Sequence, residues 1–268
     1  MLRDITIGQY YPTNSILHKL DPRVKFIGAM LFVISLFILN TWTGYLVATI
    51  FLGALIIISK VPLGFMIKGL RAIVLLMLIT MVFNVLFTPG TILWQWGIIR
   101  ITREGLVVAG HMLIRLIYLI LGSSLMTLTT TPTQLTSALE RILRPLNVIK
   151  VPVHEIAMMM SIALRFIPIL LEETDKIMKA QTARGADFES GGLIKRVKSM
   201  IPLLVPLFVS AFRRADDLAS AMEARCYHGG EGRTQMKPLV YMRRDVIAYL
   251  ILAIYLTACI LLTFVWRI

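Results

Sequence analysis

Four stretches of this chain, residues 24–40, 45–59, 70–87 and 246–265, are apolar and almost free of charge. A fifth, 106–128, holds His111 and Arg115 but is otherwise apolar. Helical runs of about 20 residues match the ~30 Å of bilayer hydrocarbon at ~1.5 Å per residue. Residues 24–40 are slightly short and gain length by extending at their start. The chain is 57% hydrophobic and only 16% charged, with a mean hydropathy of +0.77. A soluble domain of this size would carry more charge. The predicted fold is an all-α integral membrane protein with about five transmembrane helices, joined by long amphipathic helices on the cytoplasmic side. It divides into residues 1–131 (four spans), 132–244 (cytoplasmic) and 245–268 (the last span).

The net charge is +13, from 28 Lys and Arg against 15 Asp and Glu. In a soluble protein that balance suggests nucleic acid. Here the excess of positive residues on cytoplasmic segments accounts for it, and no nucleic acid is expected. Residues 41–44 carry no charge and read as outside, whereas 60–71 hold Lys60, Lys68 and Arg71 and read as inside. Residues 88–105, with Trp94 and Trp96 as interfacial anchors, read as outside. Residues 129–245 are then cytoplasmic, and the chain ends outside at Trp266-Arg267-Ile268. The first 20 residues show no cleavable signal peptide, so the start is expected in the cytosol. Cys226 and Cys259 fit no metal spacing and are not expected to pair.

The cytoplasmic region contains three helical segments. The first covers 133–146, entered through Thr130-Thr131-Pro132, with proline at the first helical position. The second runs from Val153 to Arg184, with apolar residues at helical spacing and Pro168 inside. The third runs from Leu193 to Arg225 through Pro202 and Pro206. Each long helix holds an apolar part and ends charged. The apolar parts, 156–171 and 200–212, are shorter than a full span. A spanning hairpin would place Lys176, Lys179, Arg184, Lys195, Arg196 and Lys198 outside, against the charge rule. Both helices are therefore expected to lie under the bilayer.

These two helices end alike, in Ala183-Arg184-Gly185 and Ala224-Arg225-Cys226. Aligned on the arginines, Asp175 matches Asp216, Ile177 matches Leu218, and Ala180 matches Ala221. One arginine at a helix C-terminus is explained by the helix dipole, worth ~0.3–1 kcal/mol. Two, each flanked by alanines that permit close approach, suggest docking onto a partner with two similar sites. Arginine brings five donors and a permanent charge to such a contact.

Other features fit no chemistry of this chain's own. There is no Gly-x-x-x-x-Gly-Lys-[Ser/Thr], so no phosphate loop for ATP, and Gly229–Gly232 reads as a turn. Glu172 and Glu173 are better explained by a helix passing from apolar to wet surroundings than as a catalytic pair. Arg115 and His111 share one helix face and suit a snorkelling or interhelical hydrogen-bonding role. No carboxylate lies inside a span, which disfavours a proton-coupled carrier. Met158-Met159-Met160 reads as packing, or as a repackable surface for interchangeable partners. A membrane-embedded enzyme and a self-sufficient permease are the alternatives.

Four motifs, in order, carry a resemblance that covers essentially the whole chain. They are His18-Lys19-Leu20-Asp21-Pro22-Arg23-Val24-Lys25, Leu164-Arg165-Phe166-Ile167-Pro168, Gln181-Thr182-Ala183-Arg184-Gly185-Ala186-Asp187-Phe188, and the run from Ala221 through Arg225 to Thr234. Together they resemble the transmembrane T component of energy-coupling factor transporters, prokaryotic plasma-membrane importers of vitamins or transition metals. The resemblance implies that the two tips, Ala183, Arg184, Gly185 and Ala224, Arg225, Cys226, sit on coupling helices and dock into grooves on two ATP-binding cassette subunits. ATP and Mg are then held by those partners, and this chain binds no cofactor or metal and is no enzyme. A separate membrane protein, the S component, captures the substrate. Its expected docking surface is Ile156, Met159, Met160, Ala163, Ile167, Leu203 and Leu207. Cys226 departs from the Ala-Arg-Gly pattern, which puts the local backbone geometry in question.

Overall fold

The computed structural model describes residues 10–39, 41–71, 73–96, 99–186, 188, 192–229, 236 and 238–265. Residues 1–9, 40, 187, 230–234 and 266–268, used above, lie outside them. The chain is an all-α membrane protein. Its helices are α1 (Pro22–Ile38), α2 (Trp42–Ser59), α3 (Leu63–Arg71), α4 (Val74–Phe87), α5 (Arg103–Thr129), α6 (Pro132–Leu143), α7 (Val153–Ala183), α8 (Leu193–Ala224) and α9 (Arg243–Val265). It forms two compact units, one of Gly8–Ala138 with Leu239–Ile268, the other including Leu139–Pro238.

In the first unit, α5 packs against α1, α2, α3 and α4, while α9 packs against α1 and α2. The core joins Phe32 and Leu36 of α1, Tyr45, Ala48 and Leu52 of α2, and Leu252, Tyr255 and Cys259 of α9. The Phe51 and Tyr255 rings stack at 4.1 Å. Ser35 donates to the Phe32 carbonyl at 2.7 Å, leaving its oxygen to accept from the Tyr255 hydroxyl at 2.8 Å. By length and composition α2, α5, α7 and α9 can each cross a membrane, and α3 with α4 can form a fifth, broken span. The expected span at 70–87 begins only at Val74, because residues 63–71 make a separate short helix and the axis turns by 60° between the two. The segment between α4 and α5 contains an antiparallel pair, β1 (Ile92–Trp96) with β2 (Ile99–Thr102), which hydropathy did not signal.

The first motif of the chain explains how this unit is tied together. Asp21 caps α1 by accepting from the Arg23 N–H at 2.9 Å, with Pro22 at the first helical position. Its carboxylate also holds the Arg23 guanidinium at 2.9 and 3.1 Å. Arg23 reaches on to the Leu239 carbonyl at 3.0 Å and lies 3.9 Å over the Tyr241 ring. Asp245, at the start of α9, accepts from the backbone N–H groups of Asp21 at 2.8 Å and Met242 at 2.7 Å. Lys25 donates to the carbonyls of His18 at 3.1 Å and Thr129 at 2.8 Å. His18 Nε2 donates to the Tyr11 carbonyl at 3.0 Å, and its Nδ1 meets the Ser15 hydroxyl at 2.7 Å. Burial, with Lys25 adding to it and the Tyr11 carbonyl opposing, holds the His18 imidazole below its ordinary range. The neutral ring with Nδ1 as acceptor fits both bonds.

At the other end of α1, Arg115 of α5 donates to the Leu39 carbonyl at 3.1 Å and the Tyr45 hydroxyl at 3.2 Å. The His111 ring lies against Trp42 at 4.5 Å and Tyr45 at 5.3 Å. Arg115 thus serves interhelical hydrogen bonding and satisfies the C-terminal cap of α1, while His111 contributes ring contacts on the same face.

In the second unit, a 3-10 turn, Arg144–Ile149, follows α6 and precedes α7. His154 Nδ1 meets Glu140 Oε1 at 2.8 Å across it. Helices α7 and α8 run continuously through Pro168 and through Pro202 and Pro206.

Candidate functional site

Helices α7 and α8 end by the same device. After α7, the Gly185 N–H bonds the Thr182 carbonyl and the Ala186 N–H bonds the Gln181 carbonyl, both at 2.9 Å. After α8, the Cys226 N–H bonds the Glu223 carbonyl at 2.8 Å and the Tyr227 N–H bonds the Met222 carbonyl at 3.1 Å. These are the paired bonds of a Schellman cap, which requires a left-handed residue just past the helix. Gly185 supplies it with φ +88 and Cys226 with φ +55. A side chain at such a position costs roughly 1–2 kcal/mol. The backbone question raised by Cys226 is therefore answered: cysteine holds the glycine-like turn.

Because the caps match, Arg184 and Arg225 occupy the same capping position on their helices. Both arginines are exposed, as are Ala183, Gly185, Ala224 and Cys226, and the alanines one turn back, Ala180 and Ala221. Each tip thus presents a guanidinium beside a flat, small-residue surface. Chemically this suits an acidic surface brought close to the helix backbone.

The two helices meet at Glu173 and Arg214, whose side chains pair at 3.2 Å. Towards the α8 tip, Leu218 and Met222 line a groove together with Met158, Ile162 and Phe166 of α7. The helices therefore run antiparallel. The groove has a volume of about 730 Å³ and includes Arg165, Arg225 and His228, with no carboxylate in its lining. Sequence reasoning assigned Arg225 to a tip but not Arg165 or His228 to the same concavity. Their gathering depends on helix pairing, which no local pattern shows, although Arg165 lies in the motif Leu164-Arg165-Phe166-Ile167-Pro168.

On α7, Ile156, Met159, Met160, Ala163 and Ile167 all lie exposed, at spacings that put them on one face. On α8, Leu203 is buried and Leu207 half-buried, whereas Ile201, Leu204, Val205, Phe208 and Phe212 are exposed. Contiguous apolar exposure of this kind marks an interaction surface, with protein or with lipid. Among the described residues, no group of three His, Cys, Asp or Glu side chains is placed to hold a metal ion.

A helical membrane unit, and an antiparallel helix pair with matched arginine tips and an exposed apolar face, define a helical membrane protein with surfaces open to other components. Comparison with known proteins narrows the class. Residues 13–236 match the family model described as cobalt transport protein. The chain is 55% identical over 266 residues to the energy-coupling factor transporter transmembrane protein EcfT of Ruminiclostridium cellulolyticum, covering 99% of this chain and 100% of the relative. It is 53% identical over 268 residues to that of Clostridium kluyveri, covering 99% of each. Against that of Bacillus subtilis the identity is 48% over 257 residues, covering 94% of this chain and 97% of the relative. The chain belongs to the family of energy-coupling factor transporter transmembrane proteins.

Proposed function

We propose that this chain is the scaffold that couples ATP hydrolysis to substrate release in a multi-subunit importer of a vitamin or a transition metal. It performs no catalysis itself. Two ABC ATPase subunits, which hold the ATP and Mg, dock on the tips at Arg184 and Arg225. Their closure moves the tips, and α7 and α8 pass the motion to a substrate-binding membrane S component. That component rests on the exposed apolar face of Ile156, Met159, Met160, Ala163 and Ile167, joined by α8 near Leu203 and Leu207. The chain lies in the plasma membrane of a prokaryote, with its N-terminus and both tips in the cytoplasm. Helix α7 lies along that cytoplasmic boundary, since crossing would carry the charged tip at Arg184 outside.

The observation that carries this reading is the duplicated cap. Two helices present one arginine in one backbone geometry, on small-residue faces, and a pair of like ATPases is the simplest matching partner. The test is a crossed pair of substitutions read by co-purification. Arg184→Glu and Arg225→Glu are each expected to weaken ATPase retention, and together to abolish it. Loss of a desolvated charge contact costs ~2–5 kcal/mol. Met159→Asp is expected to release the membrane partner and keep the ATPases. Full ATPase retention and substrate uptake in the double arginine variant would remove the docking role.

A further inference from the structure

The membrane unit contains a slot that the coupling reading does not use. It has a volume of about 200 Å³ and lies between α1, α2, α5 and α9. Its walls are apolar, and Gly28, Ala29 and Ala248 make the room. Ile247 and Ile251 line it and remain exposed, so it opens sideways to the surroundings of the helices. In a membrane unit, those surroundings are lipid chains.

The charge on the slot is one-sided. Its lining includes two ionisable residues, Lys25 and Arg244, both cationic and both in the first turns of their helices, α1 and α9. From the level of Lys25 the slot descends to Phe32, about 10 Å along the helix at ~1.5 Å per residue. Lys25 is 8% exposed, and its hydrogen-bond partners are neutral carbonyls, those of His18 and Thr129. The nearby carboxylates are engaged elsewhere, Asp21 with Arg23 and Asp245 with two backbone N–H groups. Arg244 is exposed beside the opening. A cationic rim over a short apolar shaft matches an anionic headgroup above an acyl chain. Basic pockets between membrane helices recognise anionic lipid in this way.

We propose that this slot binds one anionic phospholipid, with its acyl chain between Gly28 and Ala248 and its phosphate facing Lys25 and Arg244. The site is independent of the tips, and its failure would leave the coupling reading untouched. The experiment uses the full chain in mild detergent, titrated with phosphatidylglycerol or with phosphatidylcholine of identical acyl chains. Bound lipid is read by native mass spectrometry. The unmodified chain is expected to retain phosphatidylglycerol several-fold better than phosphatidylcholine. Arg244→Gln, at an exposed position that leaves the fold intact, should lower phosphatidylglycerol retention several-fold without changing phosphatidylcholine. Ala248→Phe, which fills the shaft, should lower both. Equal retention of the two lipids by the unmodified chain, an unchanged ratio in Arg244→Gln, or undiminished retention in Ala248→Phe overturns the assignment. Retention of neither lipid also overturns it.

Discussion

Glu173 and Arg214 pair at 3.2 Å across α7 and α8, and they stand 41 positions apart, the same offset that separates Arg184 from Arg225. The helices therefore touch at equivalent points of the repeat. Each arginine tip lies the same number of residues beyond that contact, on antiparallel helices. The tips are disposed about the pair as two arms about a shared centre.

The first prediction tests that centre. Both side chains keep part of their exposure, so the pair itself adds only ~0.2–1 kcal/mol to stability. Glu173→Arg sets two arginines against each other and should lower substrate uptake by the assembled transporter. The exchange of both residues, Glu173→Arg with Arg214→Glu, should restore most of it. An exchange no better than the single change would show that the two residues are not coupled.

A second prediction concerns the cap of α8. Cysteine at φ +55 is strained where glycine is not. Cys226→Gly should slow amide exchange at Cys226 and Tyr227 positions by an amount near 1 kcal/mol, while Cys226→Val, branched at Cβ, should speed it. Equal exchange in all three chains would mean that the left-handed turn carries no cost.

The same thiol reports orientation. Cys226 is exposed and Cys259 is buried. A membrane-impermeant maleimide should modify Cys226 in inside-out vesicles and leave it unmodified in right-side-out ones, and bound ATPases should protect it. Modification from the outer face would move α8 and its tip to the other side of the membrane.

Asp245 carries the fourth prediction. It is 2% exposed and accepts two backbone N–H groups. Asp245→Ala leaves both donors without a partner, at ~1–3 kcal/mol each. The purified chain should unfold at a clearly lower temperature, and Asp245→Asn, which keeps one acceptor oxygen, should fall between. A melting point unchanged by the alanine would remove Asp245 from the structural framework.

Local signals reached far in this chain. The bounds of the two long helices, read as 153–184 and 193–225, are found at Val153–Ala183 and Leu193–Ala224. Hydropathy period and the small residues after each arginine act over a few positions, so they are visible in one dimension. The tie between Asp21 and Asp245 spans 224 positions, and no local pattern announces it; the motif around Asp21 was recognisable without its purpose being so. Leu203 and Leu207 share a face by spacing, but spacing does not say which face a neighbour covers. Leu203 is buried, and the open apolar side of α8 belongs to residues such as Leu204 and Phe208. The break between Arg71 and Val74 was hidden for a similar reason, since the run stays apolar across it.

The bond from the Asp21 N–H to Asp245 has a consequence for biogenesis. The residue that caps the first helix draws on a side chain that the ribosome adds only after the whole of α7 and α8. Until α9 is in place the Asp21 N–H lacks its acceptor, at ~1–3 kcal/mol for a buried donor, so the membrane unit gains this tie only after α7 and α8 have been made. A message cut short before α9 would leave that tie unmade, whereas a chain that includes α9 joins its first helix to one made more than 200 residues later.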